Sequence, residues 1–112
     1  MFRNDYDDYH VHVYFDKETL LHAKALYQSI GEQWALPLGR LHERNVGPHP
    51  KWSFQVSVDK GHFENVVEWL DEHRNGLTVF IHASTGNALK DHTEHVYWLG
   101  EPVALNLDIF NE

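Results

Sequence analysis

The feature that most restricts the fold is the alternation in "YHVHVYFD", residues 9–16. Successive side chains of a strand point to opposite faces, so Val11, Val13 and Phe15 take one side and His10, His12 and Tyr14 the other. The apolar side requires a covering layer. The other side carries two imidazoles and a phenol where any solvated polar residue would satisfy the alternation, which marks that face as a candidate site.

The covering layer is legible further along the chain. Leu20, Ala23, Tyr27, Ile30 and Trp34 recur at spacings of three and four, an amphipathic helix for which Asp16 is the expected N-cap. A second helix is predicted from near Asp59, with Phe63, Val66, Val67 and Leu70 as its apolar stripe and Gly76 as its stop. Between the helices, "LGRLHER" and "KWSFQVSV" read as two strands joined through "NVGPHP". "LTVFIHAS" reads as a fourth strand, followed by a long polar stretch through His92 and His95 and by "ALNLDIF" as an extra C-terminal strand. The order βαββαβ is that of an α+β, ferredoxin-like fold: an antiparallel sheet with two helices on one face. No composition shift or linker divides the chain, so residues 1–112 are read as a single domain.

In that fold the first strand lies between the third and the fourth, both antiparallel to it. Val11, Val13, Phe15, Trp52, Phe54, Val56, Val79 and Ile81 then belong under the helices. His10, His12, Tyr14, Ser53, Gln55, Ser57, Phe80 and His82 belong on the uncovered face, with Arg40 and His42 if inward Leu41 sets the register. His82 falls beside His10 and His12. An H-x-H pair alone is a weak signal, ordinarily two solvated histidines. Three neutral imidazoles converging favour a metal ion, and nitrogen ligands suit Fe, Zn, Cu or Ni.

Other residues carry weaker signals. His49, bracketed by prolines in "GPHP", either ends a hairpin or acts in proton transfer. His92 in "DHTEH" could be an acid/base oriented by Asp91, or part of a polar loop. Arg40 could hold a substrate carboxylate or pair with a surface acid, and Tyr14 could bind a substrate oxygen or simply pack. His22, His62 and His73, in the helical segments, fit solvated or packing roles.

Composition narrows the partners. A formal charge of −8 repels phosphate backbones, so nucleic acid is not expected. No apolar run reaches the ~20 residues needed to span a bilayer, and no signal peptide opens the chain, so a cytoplasmic protein without a membrane partner is expected. The acidic "NDYDDY" reads as a solvated tail. Absence of cysteine excludes thiolate metal sites and a Cys nucleophile within this chain. No nucleophile elbow, P-loop or dinucleotide fingerprint is present.

Taken in order, "YHVHVYFD", "LGRLHERNVGPHP", "WL" followed by "RNGLTVFIHASTG", and "DHTEHVYWLG" resemble the DOPA 4,5-dioxygenase family, from about residue 9 to 110. One departure is Ala83, where the family leads one to expect proline. The resemblance implies a ferredoxin-like fold and extradiol cleavage of a catechol by O2 and non-haem Fe(II), or another divalent metal such as Zn. A catechol such as DOPA would open to a muconic semialdehyde-type product. Carried over residue by residue, it matches His10 and His12 to the family's H-x-H strand, Arg40 to its G-R pair, His49 to G-P-H-P, His82 to its late-strand histidine and His92 to its D-H. The expected roles are metal ligands for His10, His12 and His82, proton transfer for His49 and His92, and the substrate carboxylate for Arg40, with Tyr14, from its place on the face alone, as a further substrate contact. Glu43, Asp91 and Glu94 have no clear claim as a completing carboxylate. Two alternatives stay open: a non-catalytic metal or small-aromatic binding protein, and a zinc-dependent hydrolase. A homodimer closing over the exposed sheet face is expected, with "ALNLDIF" pairing along an edge.

Overall fold

A computed structural model describes residues 3–110. In chain order the elements are β1 (Asp8–Phe15), α1 (Leu20–Gln33), β2 (Trp52–Asp59), α2 (Lys60–His73), β3 (Val79–Ala83), α3 (Ala88–Asp91), β4 (Val96–Leu99) and a 3-10 turn (Leu107–Phe110). The sheet order is β2-β1-β3-β4, with every neighbouring pair antiparallel. β1 is central, paired along its whole length with β2 and from Tyr9 to Val13 with β3.

One face behaves as the alternation requires. Val11, Val13, Phe15, Phe54, Val56, Val79 and Ile81 are buried against Ala23, Leu26 and Ile30 of α1 and Phe63, Val66 and Leu70 of α2. Trp52 packs at the rim of this core. Burying each large side chain of this set contributes about 1.5–3 kcal/mol, which holds both helices on one face. Among the described residues no helix is long and apolar enough to cross a membrane.

The helix ends correct one expectation. The N-cap position of α1 is Thr19, not Asp16, and its side chain makes no capping bond; the Asp16 carboxylate accepts from the Thr19 amide at 3.0 Å and its hydroxyl at 2.9 Å, forming the turn that precedes the helix. Asp59 does cap α2, accepting from the His62 amide at 2.9 Å. After α2, Asn75 and Gly76 adopt φ of 48° and 86°, the left-handed reversal that sends the chain into β3.

Three further expectations change. "LGRLHER" is not a continuous strand: it touches β2 only at the bridges Leu38↔Val56 and His42↔Ser53. Four steps along this segment answer three along β2, so one extra residue breaks the ladder, and His42 ends on the face of Ser53. This remnant occupies the edge where a ferredoxin-like second strand would lie. The extra strand exists at the opposite edge, but it is β4, cut from the stretch read as polar; "ALNLDIF" forms the 3-10 turn instead. The acidic start is also less solvated than expected, since Tyr9 is buried and β1 already begins at Asp8.

A histidine-lined candidate metal centre

Cross-strand register builds the site in rows. His10 lies between Ser57 and His82, and His82 faces Val96; one row along, His12 lies between Gln55 and Phe80, and Phe80 faces Trp98. One ring nitrogen from each of His10, His12 and His82 can be chosen so that all lie within 4.8 Å of one another. The Nε2 atoms of His12 and His82 are 3.0 Å apart. Two nitrogens held about 2.1 Å from one ion at a right angle would be separated by about 3 Å, so the pair is spaced as adjacent ligands are.

The donors also suit a cation chemically. His82 Nδ1–H donates to the Ala83 carbonyl at 2.8 Å, which commits its hydrogen and leaves Nε2 as a lone pair. Burial drives all three rings toward the neutral, ligating form. His12 is 4% exposed and His82 3%. Desolvation holds His12 well below the ordinary imidazole value, and repulsion from His49, His82, His10 and His92 adds to it. It lowers His82 to about 3, against the opposing pull of the Ala83 carbonyl. His10, only half-buried, is lowered in the same sense by burial and by His92. Three neutral nitrogen donors fit a divalent transition metal.

The chain itself covers this face. The loop after the edge remnant turns at Gly47, whose φ of 54° favours glycine, and the Asn45 amide donates to the Pro50 carbonyl at 3.2 Å. That turn lays His49 over His12, ring centroids 4.1 Å apart. His49 is 7% exposed, and burial, with repulsion from His92 and His42, lowers it to about 4. From the other side α3 brings His92 over His82, also 4.1 Å between centroids, with Phe110 against its outer side at 4.7 Å. The Asn106 amide donates to the Pro48 carbonyl at 2.8 Å, tying the C-terminal segment to the His49 loop. A hollow of about 340 Å³ bordered by Asp8, His10, Pro37, Ser57 and Ser84 opens beside the cluster.

Five of the seven candidate residues therefore gather here: His10, His12, His82, His49 and His92. Tyr14 belongs to the same face, but its hydroxyl meets His49 Nδ1 at 2.6 Å, and burial pushes the phenol up, away from ionisation. Arg40 is exposed and lines a separate hollow with Tyr27, Leu41, His42, Glu43 and Arg44. Asp91 does not orient His92. Its buried carboxylate accepts from the Thr85 amide at 2.8 Å, the Thr85 hydroxyl at 2.7 Å and His95 Nδ1 at 3.0 Å. Burial opposes ionisation of Asp91, but these donors outweigh it and hold the carboxyl below its usual range. His92 is oriented by the Ala88 carbonyl, to which its Nδ1–H donates at 2.7 Å. Trp98 and Phe110 were missed as site residues. The alternation Val96-Tyr97-Trp98-Leu99 before Gly100 was the available signal for Trp98; none existed for Phe110.

The model of the Dopa 4,5-dioxygenase family matches residues 9–109. The chain belongs to that family. It is 28% identical over 109 residues to the DOPA 4,5-dioxygenase of Amanita muscaria, covering 89% of this chain and 48% of that protein. It is 31% identical over 111 residues to an uncharacterized 21.2 kDa protein of Botryotinia fuckeliana, covering 88% of this chain and 61% of that one. The chain thus spans about half to three-fifths of the length of these family relatives. A crystal structure of a "putative dioxygenase" from Nostoc punctiforme PCC 73102 superposes with a TM-score of 0.91 at 36% identity, covering 95% of this chain and 92% of that one. The imidazole cluster is compatible with metal binding.

Proposed function

We propose that this family member is an extradiol dioxygenase that opens a catechol, DOPA or a close analogue, with O2 at a ferrous ion held by His10, His12 and His82. The observation that carries the reading is the 3.0 Å approach of His12 and His82 Nε2 inside a buried ring of imidazoles. A bound ferrous ion supplies the electron traffic between an aromatic diol and O2 that organic side chains lack.

The chain's own groups do the rest. Phe80, wholly buried between His12 and Trp98, forms an apolar floor beneath the imidazoles, and Trp98 lies 4.6 Å from it. His49 and His92 flank that floor at 6.3 and 6.0 Å and are within the site to handle substrate protons. Water is excluded by the His49 loop, α3 and the segment ending at Phe110. Arg40 is proposed as the carboxylate contact only for a substrate long enough to leave the floor and reach the outer edge. Tyr14, fully engaged with His49, would act on the substrate through that ring. A homodimer is proposed on the exposed Leu89 and Ile109, on α3 and the neighbouring 3-10 turn, because the sheet face is already covered within one chain.

The test is anaerobic loading with ferrous ion and a catechol such as DOPA or caffeate, followed by air. O2 uptake with a yellow product absorbing in the visible is expected. Tight metal binding without O2 uptake by any catechol would replace the reading with a binding protein. Ester hydrolysis that persists without O2 would favour a zinc hydrolase.

A further inference from the structure

We propose that His49 and His92 flank the centre with opposite, fixed polarity: His49 presents an Nε2–H donor and His92 an Nε2 acceptor, each set by the partner of its Nδ1. The chemical use of this polarity rests on the dioxygenase reading, whereas the polarity itself does not.

Hydrogen-bond accounting makes the assignment. Tyr14 is 1% exposed, and its hydroxyl has a partner in His49 Nδ1 at 2.6 Å. Were Nδ1 the donor, the phenol hydrogen would need another acceptor, and among the described residues the hydroxyl bonds to His49. A buried hydroxyl hydrogen without an acceptor costs about 1–3 kcal/mol. The phenol therefore donates, Nδ1 accepts, and the neutral ring keeps its hydrogen on Nε2. For His92 the logic inverts. The Ala88 carbonyl, 2.7 Å from Nδ1, can only accept, so Nδ1 carries the hydrogen and Nε2 is a lone pair.

An aromatic diol bound at the imidazole cluster would then meet an acceptor on one side and a donor on the other. A substrate O–H bond breaks and its proton joins His92 Nε2, giving an imidazolium. The electron pair stays on the substrate oxygen. His49 donates a hydrogen bond to an oxygen on which negative charge develops and keeps its own proton. Burial suits the two rings to different tasks. His49 is buried and presents its donor inside the cluster, whereas His92 is half-buried at its rim. Tyr14 and the Ala88 carbonyl are positioning groups, while His49 and His92 are the catalytic ones.

Long-range 1H–15N correlation of the 15N-labelled full chain at neutral pH, without metal and with zinc, reads each tautomer, with His49→Gln and His92→Gln for assignment. Nε2-protonated His49 together with Nδ1-protonated His92 is expected; the other tautomer at either ring overturns the proposal. Tyr14→Phe removes only the hydroxyl. It should scramble the His49 tautomer and lower kcat of the iron-loaded protein about 10-fold or more with KM nearly unchanged. An unaltered tautomer or unaltered kcat in a folded Tyr14→Phe protein would remove Tyr14 from its positioning role. Should that variant not fold, the wild-type spectrum still decides the polarity. Because the tautomers are read without turnover, an inert iron-loaded wild type would count against the dioxygenase reading alone.

Discussion

From Val11 to Phe15 the two faces of β1 are buried almost equally, yet they do opposite things to the free energy. Val11 and Val13 are wholly buried on the helix side, and on the other side His12 and Tyr14 are 4% and 1% exposed. Burying the valines lowers the free energy through apolar transfer. Burying the imidazoles raises it unless their nitrogens find partners, and it displaces their protonation equilibria downward. The fold is therefore held by one face, which supports a second face whose groups are kept neutral and converging. A site of this kind is stable only because stability was supplied elsewhere.

The largest break in this contrast should come from the helix side. Phe54→Ala empties a fully buried position between the sheet and α1, where Tyr27 packs edge-on at 5.1 Å. A loss of about 3–5 kcal/mol is expected in urea unfolding, with the metal affinity of the remaining folded protein nearly unchanged. A loss under about 1 kcal/mol would mean the core does not carry the fold as described.

On the other face, His12→Ala should cost little of the fold but lower metal affinity by more than about 100-fold, beyond the range typical of outer-shell partners. Competition with a chromophoric chelator measures it. Unchanged affinity would strike His12 from the ligand set.

Acid should distinguish the faces too. His49 and His82, lowered to about 4 and about 3, bind fewer protons folded than the unfolded chain, whose imidazoles titrate near 6.5. Stability of the metal-free protein is thus full above pH ~6.5 and falls as pH drops toward 4, the unfolded state being the one that takes up protons. Urea midpoints at pH 7 and pH 5 should differ, and His49→Gln should flatten the difference. Equal midpoints in the parent chain would contradict the burial of these rings. The smallest effect is expected at the rim: Asp59→Ala removes the cap of α2 and should cost about 1 kcal/mol, leaving metal affinity alone. A large affinity change there would mean that the two faces are coupled through the end of β2.

Much of this division was legible in the linear chain. Period-two alternation assigned Val11, Val13, Phe54, Val56, Val79 and Ile81 to one face and His10, His12, Phe80 and His82 to the other, because side-chain direction in a strand is a local property. Register was harder. "LGRLHER" has the composition of a strand, and only pairing against β2 revealed the extra residue that interrupts it. β4 was hidden because "HTEHVYWL" mixes polar and apolar residues, while its pairing partner β3 lies more than ten residues earlier.

What the sequence by itself determined is which residues face each other across the central strand, and hence that three imidazoles meet. Tertiary structure alone decided what each ring does with its second nitrogen. The Ala83 carbonyl holds His82, the Ala88 carbonyl holds His92, and Tyr14, 35 positions earlier, holds His49. Pattern along a chain sets direction, but a tautomer is set by whichever donor or acceptor folding brings within about 3 Å, and Tyr14 reaches His49 only through the turn at Gly47.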